Sequence, residues 1–163
     1  METAAIISLD LRHAAGLLAA VALGALIGLE RQWRKHPAGT HTNALVALGA
    51  AAYVIAGVLM GDNTGPARIA GQVVTGVGFL CAGLIWHERG TVRGINTAVT
   101  VWCSCAVGVF CGFGLILWAV LIAVLVVLVN VVLHYLEHRI GGAALDGEAA
   151  SQTEPASRTS KLR

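Results

Sequence analysis

Apolar and polar positions separate into blocks along this chain instead of alternating. Charge-free runs cover residues 13–29, 43–60, 69–86, 95–111 and 114–135, each close to the roughly 17–25 residues a helix needs to cross a hydrocarbon core. Strands of a membrane barrel would alternate apolar with polar residues, and a backbone in lipid has to satisfy its own hydrogen bonds, so the runs predict helices. The expected fold is an all-α integral membrane protein, a bundle of about five transmembrane helices. An N-terminal segment of residues 1–12 precedes the transmembrane domain 13–140. From residue 141 to 163, Gly141-Gly142 leads into a Ser/Thr/Glu/Ala-rich run with too little apolar surface to fold, read as a short disordered tail.

Composition agrees, with 56% of residues hydrophobic and 12% charged, against roughly 25% charged in a soluble domain. Little remains for a water-soluble core, which argues against the soluble enzyme classes. The first run has the length of a secretory signal, but Glu2 and Asp10 stand beside Arg12 ahead of it and further runs follow, so it reads as a retained helix. Cys81, Cys103, Cys105 and Cys111 lie inside apolar runs, where cysteine behaves as a small hydrophobe. Neither a disulfide framework nor a zinc site is expected of them.

Charge sets an orientation. If the runs alternate in direction, Arg31, Arg34, Lys35, Arg89, Arg93, Arg139, Arg158, Lys161 and Arg163 share one side and only Arg12 and Arg68 oppose them. The richer side should be cytoplasmic, with the N-terminus outside and the C-terminus inside. Run 95–111 is the most polar of the five, and a re-entrant loop is its alternative. Re-entry would carry the tail's basic residues across and erase the asymmetry, so a full crossing is expected.

Helical spacing picks out faces. Gly24 and Gly28 in the first run, and Gly76, Gly78 and Gly83 in the third, supply the small surfaces by which membrane helices pack, internally or against a second copy. Gln72 and Thr75 share a face of the third run, as Asn96, Thr97 and Thr100 share one of the fourth. Amides exposed to lipid are costly, so these two faces are expected to meet inside the bundle as a functional polar patch, with ordinary interhelical hydrogen bonding as the plainer alternative. Glu30, Arg31, Arg68 and Arg93 flank the runs as interfacial charges, and Glu30, a carboxylate on the basic side, is expected to pair with Arg31 or Arg93.

Catalytic patterns are incomplete. Gly76-x-Gly78 lacks the third glycine of a dinucleotide loop, no P-loop lysine is present, and His87-Glu88 lacks the second zincin histidine. His134-Tyr135-Leu136-Glu137-His138 has the H-x-x-E-H spacing of inverzincins without a folded segment downstream to complete a site. No catalytic residue, metal site, cofactor or nucleic-acid partner is expected.

Three blocks in order, Gly24-Ala25-Leu26-Ile27-Gly28-Leu29-Glu30-Arg31-Gln32, residues 68–83 from Arg68-Ile69-Ala70-Gly71-Gln72 to Gly83, and Val92-Arg93-Gly94-Ile95-Asn96-Thr97-Ala98-Val99-Thr100-Val101-Trp102, resemble the MgtC/SapB family of bacterial inner-membrane proteins. The resemblance covers about residues 11–136. It implies a compact helical domain in the bacterial inner membrane, linked to growth under magnesium limitation and, in pathogens, to virulence through survival inside phagocytes. It also implies action on partner membrane proteins, notably ion-motive ATPases. This chain departs from the family pattern at His41, where an arginine is usual, and at Gly65, where an acidic residue is usual. Longer members carry a soluble ligand-sensing domain that the polar tail is too short to form. A non-enzymatic modulator is therefore expected, with a magnesium or other divalent-cation transporter as the alternative. Magnesium usually takes one or two carboxylates among its oxygen ligands, and none of the five runs contains Asp or Glu.

Overall fold

A computed structural model describes the backbone of residues 2–60, 65–88 and 91–152 and the side chains of residues 11–60, 65–87 and 91–136. Five helices follow one another: α1 (Glu2–Trp33), α2 (Thr40–Leu59), α3 (Gly65–Ala82), α4 (Ile95–Gly112) and α5 (Ile116–Gln152). Between α3 and α4 stands a small antiparallel hairpin, β1 (Trp86–Glu88) with β2 (Thr91–Arg93). Among the described residues, four segments can cross a membrane by length and composition: Leu11–Trp33, Thr40–Leu59, Ile95–Gly112 and Ile116–Leu136. The most polar run is one continuous helix, α4. The tail expected from residue 141 coincides with the end of α5 and with residues 153–163, which lie outside the described residues.

Helix α3 differs from its expected bounds. It begins earlier, at Gly65, and ends at Ala82, where hydrogen bonds from Leu84 N–H to Cys81 O and from Ile85 N–H to Ala82 O tighten its last turn. Its eighteen residues reach about 27 Å at 1.5 Å per residue, somewhat short of a hydrocarbon core of about 30 Å. Arg68, Gln72 and four glycines dilute its apolar character. The end of the third apolar run becomes β1 instead. Trp86, His87 and Glu88 pair with Arg93, Val92 and Thr91, and Trp86, Val92 and Thr91 are the β-favouring members of the ladder.

Residues Met1–Val127 form one compact unit, and Leu128–Arg163 form a second. Within the first, α2 and α4 are central, because each contributes to both apolar clusters. One cluster joins Ala47 and Ala51 of α2 with Val107 and Cys111 of α4, Ala20 and Ile27 of α1, and Ala119 and Ala123 of α5. The other joins Ala50 and Val54 with Ala98, Val101 and Cys105, and with Val77 and Cys81 of α3. Leu117, Trp118, Leu121 and Leu125 point away from these contacts, the surface a lipid-facing helix requires.

Small residues set how closely the helices approach. A Cβ at Gly24 would lie 2.6 Å from Asn43 O and one at Gly28 2.6 Å from Gly39 O, so α1 and α2 touch backbone to backbone. At Gly108 a Cβ would lie 2.1 Å from Ala47 O, which brings α4 equally close to α2. Among the described residues, nothing outside α3's own backbone stands within 4 Å of a Cβ built at Gly76 or Gly78, and at Gly83, just past α3, only Leu80 O does, at 3.4 Å. Among the described residues the internal packing expected of these glycines is not made, because α3 turns its Val77–Cys81 stripe inward.

Candidate functional site

Arg31 lies in the last turn of α1, where sequence position alone suggests an interfacial charge, yet it is only 2% exposed. Its Nη2 donates to Thr97 Oγ1 at 2.6 Å and its Nη1 lies 3.5 Å from Thr100 Oγ1. Thr97, Thr100 and Ser104 recur at i, i+3 and i+7 on the buried face of α4. Ser104 continues the series by donating to Asn43 Oδ1 at 2.8 Å. Asn43 in turn donates through Nδ2 to Ala38 O at 2.7 Å and Gly39 O at 3.0 Å. One hydrogen-bonded path therefore runs from α1 through α4 to α2 and the loop ahead of it, and Asn43 and Ser104 are wholly buried along it. Gln32 adds an outer tie, its Oε1 accepting from Thr40 Oγ1 at 2.8 Å where α2 begins.

Electrostatically this centre is positive. Of the partners expected for the neighbouring carboxylate, Glu30, Arg31 feels its charge through space without direct contact, while Glu30 makes its direct ion pair with Arg34 one turn on at 2.5 Å. That contact brings the charges together without hydrogen-bond alignment, and neither Glu30 oxygen has an aligned donor among the described residues. The Arg31 guanidinium is left with neutral hydroxyl partners, and its Nε has none there. Beside it opens a cavity of about 310 Å³ lined by His36, Trp86, Arg93, Asn96 and Thr97.

The polar patch expected between α3 and α4 is not formed. Gln72 and Thr75 are exposed, and Thr75 donates to Gly71 O of its own helix at 3.0 Å. Instead α3 meets α4 through Val77 and Cys81, and the Cys81 thiol donates to Ala98 O at 3.2 Å. Burying this apolar stripe turns the Gln72 face outward, beside a groove of about 530 Å³ between α2 and α3. Of the expected patch only Thr97 and Thr100 are buried, whereas Asn96 is exposed at the cavity mouth. Arg68 and Arg93 stay exposed at the ends of their elements. Asn43 carried no recognisable signal in the sequence, since a single amide opening an apolar run resembles any helix start. The described residues contain no group of three or more His, Cys, Asp or Glu placed to hold a metal ion. The side chains of Glu137 and His138, from the inverzincin-like spacing, lie outside the described ones.

Comparison with known proteins adds the lineage. Protein MgtC of Salmonella paratyphi A is 47% identical over 133 residues, covering 82% of this chain and 57% of its own length. Protein MgtC of Brucella abortus is 52% identical over 124 residues, 76% of this chain and 52% of its own. Protein MgtC of Salmonella typhimurium is 46% identical over 132 residues, 81% of this chain and 57% of its own. The chain thus spans about half the length of the curated relatives it matches. No solved structure matches it. The MgtC family model matches residues 17–139, a stretch that contains the whole path from Arg31 to Asn43, and the chain belongs to the MgtC family.

Proposed function

We propose that this chain is a non-enzymatic modulator of ion homeostasis that contacts partner membrane proteins in the bacterial inner membrane under magnesium limitation. The observation that carries the reading is the outward face of α3. There an exposed glutamine amide and threonine accompany Gly76 and Gly78, whose Cβ positions meet none of the described residues of other elements within 4 Å. Lipid is a poor partner for an amide, whereas a second helix can approach closely over glycine and hydrogen-bond to Gln72. A partner helix fits that face, and an ion-motive ATPase is the partner class implied by the family resemblance.

The transporter alternative is weakened by the centre of the bundle. A divalent ion passing about 4 Å from the buried Arg31 guanidinium would meet on the order of 8 kcal/mol of repulsion at an effective dielectric of about 20. Gly76→Leu tests the modulator reading, because open space around Gly76 lets the bundle fold unchanged while the docking face is blocked. The variant should insert at normal levels and fail to support growth in low magnesium. Liposomes holding the unaltered protein should pass magnesium no faster than empty ones. Saturable uptake into those liposomes, or full growth of Gly76→Leu, would overturn the reading.

A further inference from the structure

The cavity beside Arg31 collects positive charge from three independent sources. Arg31 is buried with its Nε unpartnered, at the edge of the cavity, and its Nη groups are held by neutral threonine hydroxyls. The neighbouring Glu30 carboxylate offsets part of the Arg31 charge through space, but the guanidinium's own hydrogen bonds go only to neutral hydroxyls, an arrangement that an incoming anion improves. Arg93 of β2 supplies a second guanidinium to the lining. The start of α4 supplies the third source.

Gly94, the residue ahead of α4, sits at φ 89 with no side-chain cap, and the first turn contains no acidic residue. A Cβ at this position would lie 1.9 Å from Leu84 O, so only glycine lets the end of β2 come so close to the chain leaving α3. The amides of Ile95, Asn96 and Thr97 are the donors that no preceding turn satisfies, at the positive end of an eighteen-residue helix. Thr97 Oγ1 accepts from Arg31, which leaves its own hydrogen to donate, and the Asn96 amide lies in the lining beside it. Forked guanidinium donors together with helix-start amides match the geometry of a tetrahedral oxyanion.

We infer that this cavity binds a phosphate group, carried either by free inorganic phosphate or by a lipid headgroup. The inference does not rest on the modulator reading, since binding can be measured whether or not the chain has a membrane partner. Purified full-length protein in neutral detergent is titrated calorimetrically with inorganic phosphate and, separately, with short-chain phosphatidic acid, with the matching diacylglycerol as control. Arg93→Gln is the informative variant, because Arg93 is exposed and stands on β2, outside the helices. Removing one charge-assisted guanidinium contact should weaken binding about tenfold. Saturable binding of inorganic phosphate with that loss assigns the site to the free ion. Binding of phosphatidic acid alone, with the same loss, assigns it to a headgroup. If neither ligand saturates, or if Arg93→Gln and Arg31→Lys both bind as the unaltered protein does, the site does not exist.

Discussion

Arg31 and Glu30 are adjacent in sequence and differ in surroundings, one buried against α4 and the other ion-paired with Arg34. Sequence located both at a helix end, and it located the threonines on one face of α4. It could not tell which helix would supply their partner, because Gln72 and Arg31 are equally plausible donors until the packing is known. The path itself makes graded predictions. Ser104→Ala removes the one hydroxyl that Asn43 Oδ1 and Thr100 O share, and at the average worth of an intramembrane hydrogen bond should cost about 0.6 kcal/mol. Asn43→Leu removes three side-chain hydrogen bonds at once, leaving Gly39 O only the residue-43 amide and Ser104 only Thr100 O, and should cost about 1–3 kcal/mol. Thermal unfolding in detergent should rank Asn43→Leu well below Ser104→Ala. The opposite order would mean that this path does not hold α2 to α4.

Among the elements, the glycines divide by what stands opposite them. Gly108 of α4 faces the Ala47 carbonyl of α2, and any side chain there forces the two central helices apart. Gly108→Ala should therefore destabilise the bundle by roughly 1–3 kcal/mol. Gly76→Ala, with nothing from other elements within 4 Å among the described residues, should leave the unfolding midpoint unchanged or raise it, since alanine is favoured over glycine in helices by up to about 1 kcal/mol. A measured loss at Gly76 equal to that at Gly108 would show that α3 packs otherwise. Helix positions were readable because charged residues, or the glycines of Gly112-Phe113-Gly114 between the last two, separate the apolar runs. The hairpin was not, because Trp86, His87 and Glu88 continue an apolar helix in sequence and become a strand only when Thr91-Val92-Arg93 folds back on them. Nor does spacing say which of two faces turns inward when one carries Val77 and Cys81 and the other Gln72 and Gly76.

For the whole molecule the open question is whether α3 crosses the membrane, since it is the one helix outside the set long and apolar enough to do so. Its neighbours answer in geometry. At its start, Pro66 Cα lies 3.2 Å from where a Cβ on Gly57 would sit, near the end of α2. At its finish, Cys81 bonds Ala98 at the start of α4, one residue from the Thr97 that holds the end of α1. Because α1 ends where α2 begins, the end of α2 and the start of α4 lie at opposite ends of the bundle, and α3 runs between them. A shortfall of about 3 Å against the hydrocarbon core costs on the order of 1 kcal/mol through local thinning or snorkelling, too little to keep it out. Charge gives the direction. With α3 crossing, only Arg12 and Arg68 oppose the other nine basic residues; without it, Arg31, Arg34 and Lys35 would oppose the other eight and the N-terminus would turn inward. Reporter fusions at Asn63 and at the C-terminus should therefore report opposite sides, with Asn63 outside and the C-terminus in the cytoplasm. If both report the same compartment, α3 lies along the membrane surface, and the Gln72 face meets headgroups and water instead of a partner helix.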